Sequence, residues 1–194
     1  MKHSTLALVT ALTMPVSVSA DVGFDYFFLG YENTRIDGSG GDLSGDSLVI
    51  KREFSVFPAL AFGAEYANNR FEEDVDQHTA ILQGLVYIPD GNFTLVLDAG
   101  WLATRIATEN LEADEDGPIY SLQGRFSISP KLGLLLGVGR IELDADAPTN
   151  VYRADMLMSD GESPVDIVFT YQLSDTPGSS DDVQTYGLGF RCNF

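Results

Sequence analysis

Four arginines recur at a constant interval in this chain: Arg35, Arg70, Arg105 and Arg140 are each 35 residues apart. A guanidinium presents a planar fork of donors that matches the oxygens of a phosphate or a carboxylate, so a periodic row of them is a candidate anion-binding ladder. Three of the four sit in a shared pattern, Tyr31-Glu32-Asn33-Thr34-Arg35-Ile36, Tyr66-Ala67-Asn68-Asn69-Arg70-Phe71 and Trp101-Leu102-Ala103-Thr104-Arg105-Ile106. The pattern suggests one structural unit reused along the chain.

The carboxylates outnumber these cations heavily. The chain has 29 acidic against 11 basic residues and a formal net charge of −18, a balance that argues against nucleic acid as a partner. Clusters such as Glu72-Glu73-Asp74-Val75-Asp76 and Glu112-Ala113-Asp114-Glu115-Asp116 are candidates for divalent cations, because hard ions take carboxylate oxygens. Neither has the complete spacing of a calcium loop, and solvated, mutually repelling loops are the favoured reading. Beyond residue 20 the only histidine is His78, which stands among acids in a segment read as a loop and has no orienting partner in view. There is no phosphate-binding glycine loop and no Cys/His metal spacing. Neither an enzyme nor a bound cofactor is expected. The single cysteine, Cys192, excludes an intramolecular disulfide and reads as a small apolar side chain.

The elements that must hold these residues are strands. Ten segments alternate apolar and polar residues, roughly 22–35, 47–57, 60–70, 79–88, 93–106, 118–128, 132–141, 150–158, 165–173 and 183–194, and their length suits a bilayer-crossing strand of about 9–11 residues. The connections alternate between two classes. Those at Pro58-Ala59, Pro89 to Asn92, Ser129 to Lys131 and Ser159 to Pro164 are mostly short and carry Pro or Gly, as turns do. Those at 37–46, 71–78, 107–117, 142–149 and 174–182 are longer, and hold 18 of the 29 acids with no Lys or Arg. Residues 1–20 have a basic start, an apolar run and a close of small residues at Val18-Ser19-Ala20. This is the pattern of a secretory signal peptide cleaved before Asp21, leaving 21–194 as one domain. No later run of about 18 apolar residues exists that could form a membrane helix. An exported chain of alternating strands, with short turns at one end and long loops at the other, reads as a transmembrane barrel of the outer membrane.

The region 21–194 resembles the small outer-membrane β-barrels of Gram-negative bacteria, the OmpA-like and OmpX-like group. Its end, Gly189-Phe190-Arg191-Cys192-Asn193-Phe194, is similar to their C-terminal assembly signal, so Gly189, Cys192 and Phe194 are expected to be read by the barrel-assembly machinery. The resemblance implies an all-β, antiparallel, up-and-down transmembrane β-barrel. The segments count to about ten strands where eight are usual in that group, and 150–173 is the hairpin on which the difference turns. Some barrels in this group are enzymes that pair His with Ser or Asp, a pairing this chain does not offer.

Parity then assigns faces. Residues four apart share a face of a strand, and apolar neighbours put the aromatic–arginine pairs toward lipid. The aromatics fall in the outer girdle with Arg70, Arg105 and Arg140 above it, where they are expected to bind lipopolysaccharide phosphates; the competing reading is arginines snorkelling or pairing with loop acids. Lys51, Glu53, Glu65, Asp98, Arg125, Arg153, Asp155, Asp166 and Arg191 face the lumen with Gln83, Gln123, Thr170 and Gln172, and such charges must pair to offset desolvation. Two positions fit poorly. Arg52 alternates with Ile50 and Phe54 and falls on the lipid face, which requires a register slip or a different face assignment. In the first strand, Phe24 and Tyr26 are out of phase with Leu29 and Tyr31, which a bulge near Phe27 would reconcile. The functional expectation is a monomeric, non-enzymatic barrel with a filled lumen, serving envelope structure or surface interaction through acidic loops. The alternative is a narrow channel for small solutes or ions, running past Gly133, Gly137, Gly139, Gly187 and Gly189.

Overall fold

The computed structural model describes residues 25–38, 41–72, 75–108, 112–143, 147–160, 162–179 and 182–194. The segment read as a signal peptide lies outside the described residues, as do Glu73 and Asp74 of the first acidic cluster. Ten strands follow one another: β1 (Tyr26–Gly38), β2 (Gly41–Phe57), β3 (Leu60–Phe71), β4 (Val75–Asp90), β5 (Phe93–Ala107), β6 (Glu112–Ser129), β7 (Leu132–Ile141), β8 (Thr149–Met158), β9 (Val165–Asp175) and β10 (Asp182–Asn193). Each pairs antiparallel with its neighbours in sequence, and β1 pairs with β10 to close the barrel. Closure leaves no sheet edge, which is what allows strands to cross lipid with every backbone group satisfied. The hairpin at 150–173 is part of the wall, β8 and β9 pairing from Asn150↔Asp175 to Met158↔Ile167. The barrel therefore has ten strands.

Alternation turns into two surfaces of opposite character. Outward residues such as Leu82, Leu97, Leu122, Leu136, Ile167 and Leu188 are exposed and form the apolar belt. Aromatics flank it: Tyr31, Tyr66, Trp101, Tyr120, Tyr171 and Tyr186 toward the longer connections, and Phe54, Phe57, Phe62, Phe126 and Phe194 toward the short turns. Such girdles mark the two interfaces of a membrane barrel. The sequence pattern that closes the chain is the outer face of β10, with Tyr186, Leu188 and Phe190 exposed, Cys192 half-buried and Phe194 exposed.

Three expectations are corrected. Three of the five acidic stretches taken for long loops, 37–46, 71–78 and 107–117, are largely strand among the described residues: β2 starts at Gly41, β4 at Val75 and β6 at Glu112. Their acids stay in the ladder because they face arginines across it, with Arg70↔Asp76 and Arg105↔Asp114 as direct register partners, and opposite charges placed so stabilise a sheet pair. Polarity had stood in for irregularity. No bulge exists near Phe27: β1 pairs without interruption from Tyr26 to Asp37 on one side and from Tyr26 to Gly38 on the other. Tyr26 and Phe28 are buried inside the barrel. Room for Phe28 comes from Gly30 and Gly189, where a Cβ would overlap its ring. Nor does the register slip at Arg52, which pairs with Phe27 and Ala64 in an unbroken ladder and faces outward. Its long apolar stem lets the charge reach along the surface toward an interface. The real irregularities fall at Ser55/Phe57 and Ser127/Ser129, beside short turns.

Candidate functional site

Every charge that parity assigned to the lumen is buried there: Lys51, Glu53, Glu65, Asp98, Arg125, Arg153, Asp155, Asp166 and Arg191 are each 8% exposed or less. One was missed. Glu32 is 2% exposed on the inner face of β1, and the misread phase of Phe24 and Tyr26 is what hid it; its alternation with Thr34 and Ile36 was the available signal. Among the described residues six buried carboxylates face four buried cations.

These groups are organised in layers. Nearest the short turns, Glu53 is the hub. It accepts a hydrogen bond from the Tyr87 hydroxyl at 2.9 Å, pairs with Lys51 Nζ at 2.7 Å and lies 3.9 Å from an Arg125 nitrogen. The aromatic rings complete the shell: Arg125 stacks over Tyr87 at 5.0 Å, while Lys51 and Arg191 approach Tyr26 at 5.2 Å and 4.5 Å. Such contacts strengthen when desolvated. Asp98 accepts from Ser121 and, at 2.8 Å, from Gln123. Asp166 accepts from Asn193 at 2.9 Å. Across the lumen Arg153 holds Asp155 at 2.8 Å and donates to Thr170 at 3.2 Å, close to Glu32, whose stem lies against Gly187.

Above the charges comes a layer of amides and hydroxyls, with Asn69 donating to Gln77, Gln77 to Thr104, and Thr34 bonded to Thr185, all at 3.0–3.1 Å. At the same end, Ile36, Phe71, Val75, Ile106 and Val183 form an apolar cluster. At the other end Ala61, Leu85, Tyr87 and Val96 form another. Two further apolar clusters, one around Val49, Leu135 and Val168 and one around Ile81, Leu102 and Val151, are interleaved with the charged and amide groups on the inner face.

The outer rim is built differently. Arg35 bonds Asp37 and Asp42, Arg70 pairs with Asp76 at 3.2 Å, Arg105 with Glu112 and Asp114, and Arg140 with Glu142 at 2.8 Å. All of these side chains are well exposed. The hydrogen bond and charge of Asp37 push the Arg35 guanidinium still higher in pKa. His78 lies on β4, not in a loop, and its Nδ1 is 2.8 Å from the Tyr66 hydroxyl. The acidic positions Glu112 to Asp116 belong to β6, and among the described residues no group of three His, Cys, Asp or Glu side chains is arranged to hold a metal ion.

No protein-family model and no curated protein matches the chain. Solved structures do. An outer-membrane channel from Pseudomonas putida F1 superposes over 94% of this chain and 100% of its own, with a TM-score of 0.56 at 10% identity. The beta domain of the Bordetella autotransporter BrkA covers 90% of this chain and 100% of its own, with a TM-score of 0.49 at 11% identity. Neisserial surface protein A covers 87% and 96%, with a TM-score of 0.43 at 10% identity. At such identities the likeness is one of fold. Together with the closed wall, the apolar belt and the two girdles, the likeness to the Pseudomonas channel makes the chain an outer-membrane β-barrel in fold.

Proposed function

We propose that the protein is a closed, non-conducting and non-catalytic barrel that anchors an acidic, arginine-laced rim at the cell surface, serving envelope structure or surface interaction. One observation carries this reading: Glu53, Leu85, Val96, Leu135, Asp155 and Gln172, inward residues from different parts of the wall, are all 0% exposed. A path for water or ions would leave such groups accessible to solvent. The glycines that could have lined a path also favour closure, since a Cβ on Gly137 would meet Gln123 at 3.2 Å and one on Gly187 would meet Glu32 at 2.9 Å. Neighbouring side chains already use that space.

The chain acts as a monomer, and its surroundings supply the remaining partners. Arg70, Arg105 and Arg140 would bind lipopolysaccharide phosphates, each phosphate exchanging with the carboxylate that the arginine already holds. Divalent cations would bridge rim acids to such phosphates. The terminal pattern Gly189, Cys192 and Phe194 serves the barrel-assembly machinery.

The test is planar-bilayer conductance of refolded protein whose insertion has been verified by a heat-dependent gel shift. Silence is expected. Discrete, reproducible openings would sink the closed reading and turn the buried charges into selectivity residues of a narrow channel.

A further inference from the structure

The outer face of β3 to β6 carries a cleft of about 390 Å³ near the upper girdle. Strand register explains it. Ala80 and Ala103 are direct partners, and both point outward, so two methyl groups form a floor. Tyr66 stands beside Ala80, and Asp116 beside Ala103. In the row nearer the outside lie His78, Arg105 and Asp114; in the row nearer mid-membrane lie Leu82 and Trp101. Large side chains around two small ones leave a depression that opens sideways, onto the belt below and the headgroup region above.

The walls are held in place. The Tyr66 and His78 rings stack at 6.2 Å with their polar atoms 2.8 Å apart, and the Trp101 indole donates to Asp116 at 2.8 Å. Arg105 is engaged by Glu112 and Asp114, so its charge is already divided between two carboxylates. Asp114 and Asp116 against Arg105 make the outward lining formally one unit negative, while Glu115 lies opposite the buried Thr104 on the inner face. While Arg105 keeps its two carboxylates, an anion is repelled from the cleft. A hard metal ion finds no group of three suitable ligands among the described residues. Aromatic faces beside carboxylates suit a diffuse organic cation, for which ring quadrupole and carboxylate act in the same direction.

We propose that this cleft binds an amphiphilic ammonium ion, its head between Trp101, Asp114 and Asp116 and its alkyl chain running over Ala80 and Leu82 into the apolar belt. The site lies on the outer wall and does not depend on whether the lumen conducts.

Trp101 is the single tryptophan of the chain, so its emission reports on the cleft directly. Protein folded in maltoside micelles would be titrated with hexyltrimethylammonium chloride, hexyl sulfate and hexanol. A saturable change in Trp101 emission is expected for the ammonium compound alone. The double substitution Asp114→Asn with Asp116→Asn should weaken it at least about tenfold, as loss of the charge partners of a bound cation implies. Ala80→Leu, which fills the floor from the lipid side, should abolish saturation while the heat-dependent gel shift persists; Ala103→Leu is the substitute if that variant does not fold. A linear response, an equal response to hexyl sulfate or hexanol, or an unchanged affinity in the double variant would overturn the proposal.

Discussion

Arg153 and Arg105 both hold carboxylates, yet the side chains of Arg153 and Asp155 are 4% and 0% exposed while those of Arg105 and Glu112 are 56% and 54% exposed. The chemistry is the same and the energetics differ. A charge buried this deeply has little solvent to take over when its partner is lost, and it then keeps most of its desolvation cost. On the rim, water and salt substitute readily, so an ion pair contributes about 0–1 kcal/mol. Lumen pairs therefore act as structural requirements, and rim pairs as adjustable surface.

The largest effect should come from the hub of the lumen. Glu53→Ala leaves Lys51 and Arg125 without their shared carboxylate and the Tyr87 hydroxyl without its acceptor. A loss of about 3–5 kcal/mol is expected, read as a lowered urea midpoint of the heat-modifiable band in micelles. If the midpoint moved no further than it does for Arg105→Ala, the contrast between the two regions would collapse.

Packing gives a second contrast within the same wall. A Cβ on Gly30 would overlap the ring of Phe28, whereas one on Gly84, on the outer face, would meet Phe62 at an ordinary 3.9 Å. Gly30→Ala is expected to cost about 1–3 kcal/mol through overpacking, and Gly84→Ala to be close to neutral. Equal urea midpoints for the two variants would mean that the interior near Phe28 is loose enough to yield.

How much of this was legible in the sequence depends on what each feature requires. Strand alternation is a local property, so β3 to β10 and the inward positions of their charges could be placed from parity alone. β1 was misphased because its inward residues near the start, Tyr26 and Phe28, are as apolar as its outward ones. Only the third dimension supplies what justifies them: cations over Tyr26, and glycines on two strands making room for Phe28. The extents of β2, β4 and β6 were lost for a related reason. A charged hairpin that rises above the membrane and an acidic loop have the same composition, and cross-strand arginine–acid register distinguishes them. The cleft on β3 to β6 was not legible either, since its floor and walls come from four strands.

The rim should answer with smaller numbers that depend on salt. Arg70→Ala and Arg105→Ala are each expected to cost no more than about 1 kcal/mol at low ionic strength, and less as salt rises toward a Debye length of about 8 Å. Urea midpoints measured at two salt concentrations check this. A salt-independent loss larger than that of a lumen variant would place these arginines in a tighter structure than their exposure indicates.

The smallest effect sharpens the comparison from another side, because it concerns an exposed carboxylate whose partners are backbone rather than arginine. In the β8–β9 turn, Asp160 Oδ1 accepts from the N–H groups of Ser163 at 2.7 Å and Glu162 at 2.8 Å. Those donors favour the ionised form and hold its carboxyl below the usual range. With a folded pKa below the unfolded one, its contribution is present above the unfolded value and is lost as pH falls through the folded value. Wild type should therefore exceed Asp160→Ala in urea midpoint near neutral pH, and the gap should close in acid below that folded value. A gap that persists there would show that the turn is held by shape and not by charge. In that case exposure alone would not rank the value of a carboxylate, and fixed backbone donors would count with the lumen pairs instead of the rim.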